Sequence, residues 1–187
     1  MLQRLSAAIA HAEEIIAALL AAAVTCLILA NVAMRALGNP LYFVSELAIY
    51  AMIWMTLLIA SAILKRRQGV AVTLLSDLLP LSGRRIIGLW VDLSVAFFGL
   101  AMVWLCWQWF QPLALWQAGF DVGAFQGETF NFIYAENTST LGVKKVWFWL
   151  ILPWFAVSLS LHGVTNLIDT LTRWRDPAKR RAMETLS

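Results

Sequence analysis

Charge is what this sequence lacks. Asp, Glu, Lys and Arg make up only 13% of its 187 residues, about half the share usual in a soluble domain. Hydrophobic residues make up 61%, and the mean hydropathy is +0.74. A soluble fold of this length could not hide so much apolar surface, because roughly a third of the unfolded chain's surface stays exposed after folding. An ordinary soluble enzyme, a nucleic-acid binder and a disordered linker are thereby excluded, and an integral membrane protein is implied. Cysteine is scarce as well. Cys26 and Cys106 both sit in apolar runs, which supports neither a disulfide framework nor a zinc site. There is no internal repeat, no pair of broken helices of the kind that builds a midplane transport site, no embedded Arg array, no Gly-rich phosphate loop and no Ser-His-Asp constellation. No catalytic, cofactor-binding or metal site is expected.

Four apolar runs are present: Ile15–Met34, Leu47–Leu64, Ile86–Trp107 and Val146–Ile168. A membrane-spanning helix needs about 20 apolar residues. The alternation of a membrane β-barrel is missing, and helices satisfy their own backbone groups in lipid. The expected fold is therefore an all-α integral membrane protein, a single domain over 1–187. Transmembrane helices are expected at about 15–36, 42–64, 86–109 and 146–168, with an outer segment at 111–143. The first run is expected to be retained rather than cleaved as a signal peptide, because its core is long and Glu13 and Glu14 stand where such a signal is basic.

Lys and Arg distribute unevenly. Lys65, Arg66, Arg67, Arg84, Arg85, Arg173, Arg175, Lys179, Arg180, Arg181 and Arg4 fall on one side, against Arg35, Lys144 and Lys145 on the other. The positive-inside rule then places both termini in the cytoplasm. Seven of the ten tryptophans (Trp104, Trp107, Trp109, Trp116, Trp147, Trp149 and Trp154) gather at the outer ends of the last two spans, an aromatic belt by position. Residues 70–79 put Ala71, Leu74, Leu75, Leu78 and Leu79 on one helical face between basic clusters, as an interfacial helix would. Residues 2–12, with Leu2, Leu5 and Ile9 at similar spacing, are expected to form a second one. The aromatic outer segment is too long for an idle linker and is expected to pack on its own helices or on a partner.

Polar residues inside spans are the candidate functional residues. Arg35 and Glu46 flank the Gly38-Asn39-Pro40 turn and are expected to pair with each other, the alternative being a bridge to another subunit. Asp92 shares a face with Gly88, Ala96 and Gly99, the small-residue pattern of close helix packing. It is expected to be buried against protein or to reach toward Lys65–Arg67. The stripe Ser158, His162, Thr165 and Asp169 is expected to hydrogen-bond to a neighbouring helix. The only other imidazole, that of His11, lies outside the first apolar run, so a bis-His haem has one marginal pair to draw on. Four helices with few buried polar groups fit a module that supports a larger membrane partner.

Three stretches resemble the small membrane (DctQ-like) subunit of tripartite ATP-independent periplasmic (TRAP) transporters. They are Asn31-Val32-Ala33-Met34-Arg35; Phe43-Val44-Ser45-Glu46-Leu47-Ala48 followed by Trp54; and Lys65-Arg66-Arg67 leading to Leu78-Leu79-Pro80. Leu141-Gly142-Val143 before Trp147 and Pro153 also fits. Family members often carry a His and an Asp where Gly69 and Thr73 stand here. The resemblance implies a small permease subunit in the bacterial inner membrane. It would be a static scaffold beside a large multi-helix permease subunit that works as a sodium-coupled elevator, with a periplasmic solute-binding protein delivering an organic acid or similar solute. A competing class is the membrane anchor of a haem or quinone redox complex. A third is a self-assembling four-span channel.

Overall fold

The computed structural model describes residues 1–69 and 79–175. Its helices in chain order are α1 (Leu2–Ala36), α2 (Tyr42–Arg66), α3 (Leu81–Phe110), α4 (Pro112–Gln117), α5 (Val122–Thr129), α6 (Val146–Trp149) and α7 (Ile151–Arg175). Among the described residues four stretches are long and apolar enough to cross a bilayer: Leu2–Ala36, Tyr42–Arg66, Ile86–Gln117 and Val146–Thr172. Among the described residues there is no strand, only an isolated bridge between Asn137 and Lys144. The chain is an all-α membrane protein. The interfacial helix expected over 70–79 and the basic residues Lys179, Arg180 and Arg181 lie, Leu79 apart, outside the described residues.

α1 runs unbroken for 35 residues, because neither Gly nor Pro occurs before Gly38. Residues 2–12 are therefore the first turns of α1, a correction to the separate interfacial helix. The face Ser6, Ala10, Glu13, Ala17, Val24 is buried along its length, and a buried face cannot turn away at residue 12 to lie on the membrane. The helix ends in a Schellman turn: Asn39 N–H donates to Met34 O and Gly38 N–H to Arg35 O, with Gly38 at φ +76°. This is the left-handed closure that glycine permits without Cβ strain. Asn31 Oδ1 then accepts from Leu41 N–H, which aims the chain into α2.

α2 closes in the same way, with Gln68 N–H on Ile63 O and Arg67 N–H on Leu64 O. Here the left-handed residue is Arg67, at φ +55°, where glycine is the default. The last span breaks after Trp149 into α6 and α7. The cause is Pro153, whose ring clashes with the carbonyl four residues back, that of Trp149, and which donates no N–H.

α7 is the centre of the bundle. It packs along α3, and also touches α2 and α1, while α1 packs chiefly on α2. Half of the apolar window of α7 is buried (50%), against 11% for α1 and 17% for α3. The least apolar span is thus the most buried, the arrangement expected where lipid rather than water is outside. α3 turns Trp90, Phe97, Phe98, Trp104 and Trp107 outward. Its small residues face α7 instead. A Cβ on Gly99 would stand 2.7 Å from Ser160 N, and one on Gly163 would stand 2.7 Å from Ala96 Cα. The small-residue face expected on α3 is real at Asp92, Ala96 and Gly99; Gly88 meets nothing within 4 Å.

Candidate functional site: a polar ladder between the helices

Buried polar side chains concentrate in the half of the bundle where α1 begins and α7 ends, here called the terminal end. Glu13, 1% exposed, reaches from α1 to α7. Its Oε1 accepts from Ser158 Oγ and from Trp154 Nε1 at 3.2 Å, and its Oε2 lies 3.3 Å from His162 Nε2. Two turns toward the terminus, Ser6 Oγ meets His162 Nδ1 at 2.7 Å and Thr165 Oγ1 at 3.1 Å. α2 joins through Ser61, whose Oγ is 3.0 Å from Ser158 Oγ. These residues form a ladder because α1 and α7 run antiparallel: Ser6 and Glu13 are seven residues apart on one face, and Ser158 and Thr165 are seven apart on the other.

Below the ladder the last turn of α2 acts as a clamp. Lys65 Nζ donates to Gln3 Oε1 of α1 at 3.0 Å and to Thr165 Oγ1 and Asn166 Oδ1 of α7, both at 3.1 Å. Arg66 pairs with Glu14 of α1. Arg67 pairs with Asp92 of α3 at 2.6 Å and donates to Asn166 O and Thr170 Oγ1 of α7 at 2.8 and 2.7 Å. Thr170 in turn donates to Asp92 at 2.6 Å. Three consecutive basic residues thus tie α2 to each of the other long helices. The Arg67 pair explains why a non-glycine holds a left-handed position: that backbone turn is what directs the guanidinium at Asp92, which is 3% exposed.

The opposite, far end is held differently. Cys106, Phe110, Ile133 and Ala156 form an apolar core with Tyr134 and Trp149 around it. Phe125 is fully buried and meets the Tyr134 ring edge-on, with centroids 5.3 Å apart. Tyr134 Oη donates to Phe110 O at 2.6 Å, and burial pushes this phenol above its usual pKa. The outer segment therefore packs on its own helices at this core.

The residues singled out from the sequence fall as follows. Asp92, Ser158 and His162 are in the clamp and ladder. Trp54 donates from Nε1 to Phe148 O at 2.8 Å, beside the α6–α7 break. Arg35 and Glu46 do not pair, which corrects the expected ion pair. Residues 136–145 form a tight loop, closed by Thr138 N–H on Val143 O at 2.8 Å. Its tip satisfies Glu46 with Ser139 N–H at 2.8 Å, Thr140 N–H at 2.6 Å and the Thr140 hydroxyl at 2.6 Å. Two consecutive amides and a hydroxyl saturate the carboxylate, and Arg35 stays exposed at the end of α1. Sequence reasoning missed Ser6, Glu13, Ser61, Asn166 and Thr170. The signal is the helical spacing Ser6-Ala10-Glu13-Ala17, small and polar on one face, which the place of Glu13 directly before the first apolar run conceals.

Fold and site together define a small four-span membrane protein whose buried polar groups bind its own helices to one another. The comparison with known families agrees in class and adds the family. The model described as "Tripartite ATP-independent periplasmic transporters, DctQ component" matches residues 24–173, most of the chain, and the protein belongs to that family. It is the small permease component of a TRAP transporter, a family that functions with a large permease and a periplasmic binding protein. No curated protein matches the chain.

Proposed function

We propose that this subunit is a static scaffold in the bacterial inner membrane, with both termini cytoplasmic. It holds a large elevator-type permease subunit that carries out sodium-coupled import of an organic acid or similar solute, delivered by a periplasmic binding protein. The observation that carries the reading is the use made of the buried ionisable groups. Glu13, Asp92 and His162 each bond to side chains of a different helix of the same chain. Groups bonded in this way fix helix against helix, whereas a transport site needs polar groups turned toward a solute path. A scaffold has to keep its helices at constant depth while a neighbour slides, and the Lys65–Arg67 clamp opposes axial slippage of α1, α3 and α7 against α2.

The redox-anchor reading has less to stand on. Both ring nitrogens of His162 are in hydrogen bonds to Ser6, Ser158 and Glu13, and His11 lies 3.8 Å from Glu14. The test is reconstitution in liposomes. The subunit alone should move no solute under a sodium gradient, and uptake should require the large subunit and the binding protein together. Uptake by this chain alone, or a Soret band on the purified chain, overturns the scaffold.

A further inference from the structure

We propose that residues 111–120 do not stand in the periplasmic water with the rest of the outer segment but lie in the outer lipid interface, as an uncharged wedge hinged on the end of α3. This rests on the orientation given above only for the name of the leaflet. α3 stops at Gln111, which is left-handed at φ +43°, and Pro112 starts α4 in its first turn. The left-handed residue interrupts the helical path of α3, so α4 is a separate short helix rather than its continuation. α4 is six residues long and buries none of them. Leu113 is 53% exposed, Trp116 66% and Phe120 67%. A helix of this length has no stability of its own in water, and one that shows its Leu and Trp to solvent gains nothing from folding there.

Two further observations select lipid as the occupant. First, no charged residue occurs between Asp92 and Asp121, and Gln108, Gln111 and Gln117 are the polar amides nearest the turn, so the surface of the α3 span continues through α4 without a charged border. Trp104, Trp107, Trp116 and Phe120 are all exposed along it, and the amphipathic ring of tryptophan favours the headgroup level. The border comes at Asp121, which caps α5 by accepting from Gly123 N–H at 2.8 Å and Ala124 N–H at 3.2 Å. From there the chain turns back onto protein, with Phe125 fully buried. Second, Phe120 holds a left-handed backbone, φ +63°, directly after Gly119 at φ +62°. A bulky residue in that region is strained. Here the strain leaves the ring pointing away from the protein, which is favourable only if the surroundings are apolar.

The experiment is cysteine accessibility in membranes. In a Cys26→Ala background, Leu113→Cys, Trp116→Cys and Phe120→Cys are compared with Glu128→Cys on α5, using a membrane-impermeant maleimide. Each is run with this subunit alone in liposomes and with the assembled transporter. Because the thiolate is the reacting species and an apolar setting suppresses it, the three wedge positions should label about tenfold more slowly than Glu128→Cys in both preparations. Labelling at the rate of Glu128→Cys overturns the proposal. Protection that appears only with the large subunit also overturns it, and gives the surface to that protein instead of to lipid.

Discussion

The two ends of this molecule are built on different physical principles. At the terminal end the helices are joined by a buried polar ladder and a cationic clamp, through Glu13, His162, Ser158, Lys65, Arg66, Arg67 and Asp92. At the far end they are joined by a core of Cys106, Phe110, Ile133 and Ala156 with stacked and edge-on rings. Tyr50 stacks on Phe148 there, with centroids 4.0 Å apart. Within lipid, apolar side chains have little preference for one another over acyl chains, so helix pairing needs close backbone approach and interhelical hydrogen bonds. The ladder and the Gly99–Gly163 crossing supply both. The far end carries an outer segment that can exclude water, so there burial itself stabilises, and aromatic packing suffices.

The comparison breaks most directly at Glu13. Glu13→Ala should lower the stability of the bundle by about 3 kcal/mol, because His162, Trp154 and Ser158 are left without their shared acceptor. Glu13→Gln keeps an acceptor and should cost about 1 kcal/mol. Equilibrium unfolding in mixed micelles gives both numbers. Equal losses for the two variants would mean that packing volume, not the polar bonds, holds the terminal end.

Gly163→Ala probes the backbone crossing. Its Cβ would stand 2.7 Å from Ala96 Cα and N, which are main-chain atoms and cannot swing aside. The expected loss is about 2 kcal/mol, visible as a lower thermal midpoint. Gly88→Ala, which meets nothing, should be silent. An equal effect at the two glycines would remove the close approach from the account.

Arg67→Ala should cost about 1–2 kcal/mol. It strands a buried Asp92 carboxylate, but the arginine side chain is itself 39% exposed, so water can replace part of what it supplies. Asp92→Asn in the Arg67→Ala background should recover part of the loss. A double-mutant cycle reads the coupling, and additivity would show that clamp and aspartate act separately.

The smallest effects belong to the far-end polar groups. Glu46→Gln should leave global unfolding nearly unchanged and speed hydrogen exchange at the Ser139 and Thr140 amides. Arg35→Ala should change neither. Arg35→Ala with intact stability but lost co-purification with the large subunit would assign that arginine to the subunit interface.

Much of this was legible along the chain. Scarcity of charge and four continuous apolar runs point to an all-α membrane fold, since lipid leaves the backbone only helices or closed barrels and the alternation of a barrel is missing. The turn at Gly38–Pro40, the small face of α3 and the stripe on α7 follow from residue type and helical period. The Arg35–Glu46 pair was not a sound inference. Sequence proximity places two helix ends together, but the group that satisfied Glu46 came from Ser139 and Thr140, more than ninety residues downstream.

Composition and periodicity determined how many membrane spans there are, roughly where they end and which faces are polar, because each of those is a local consequence of residue type and the 3.6-residue repeat. Only the tertiary structure decided which polar face meets which. Glu13 looked like the flank of a span until α7 ran antiparallel beside it, and Lys65-Arg66-Arg67 looked like a cytoplasmic charge run until each side chain found a different helix. The physical reason is that a hydrogen bond or an ion pair depends on distance in space. A single sequence records which groups need a partner and leaves to the packing which one they receive.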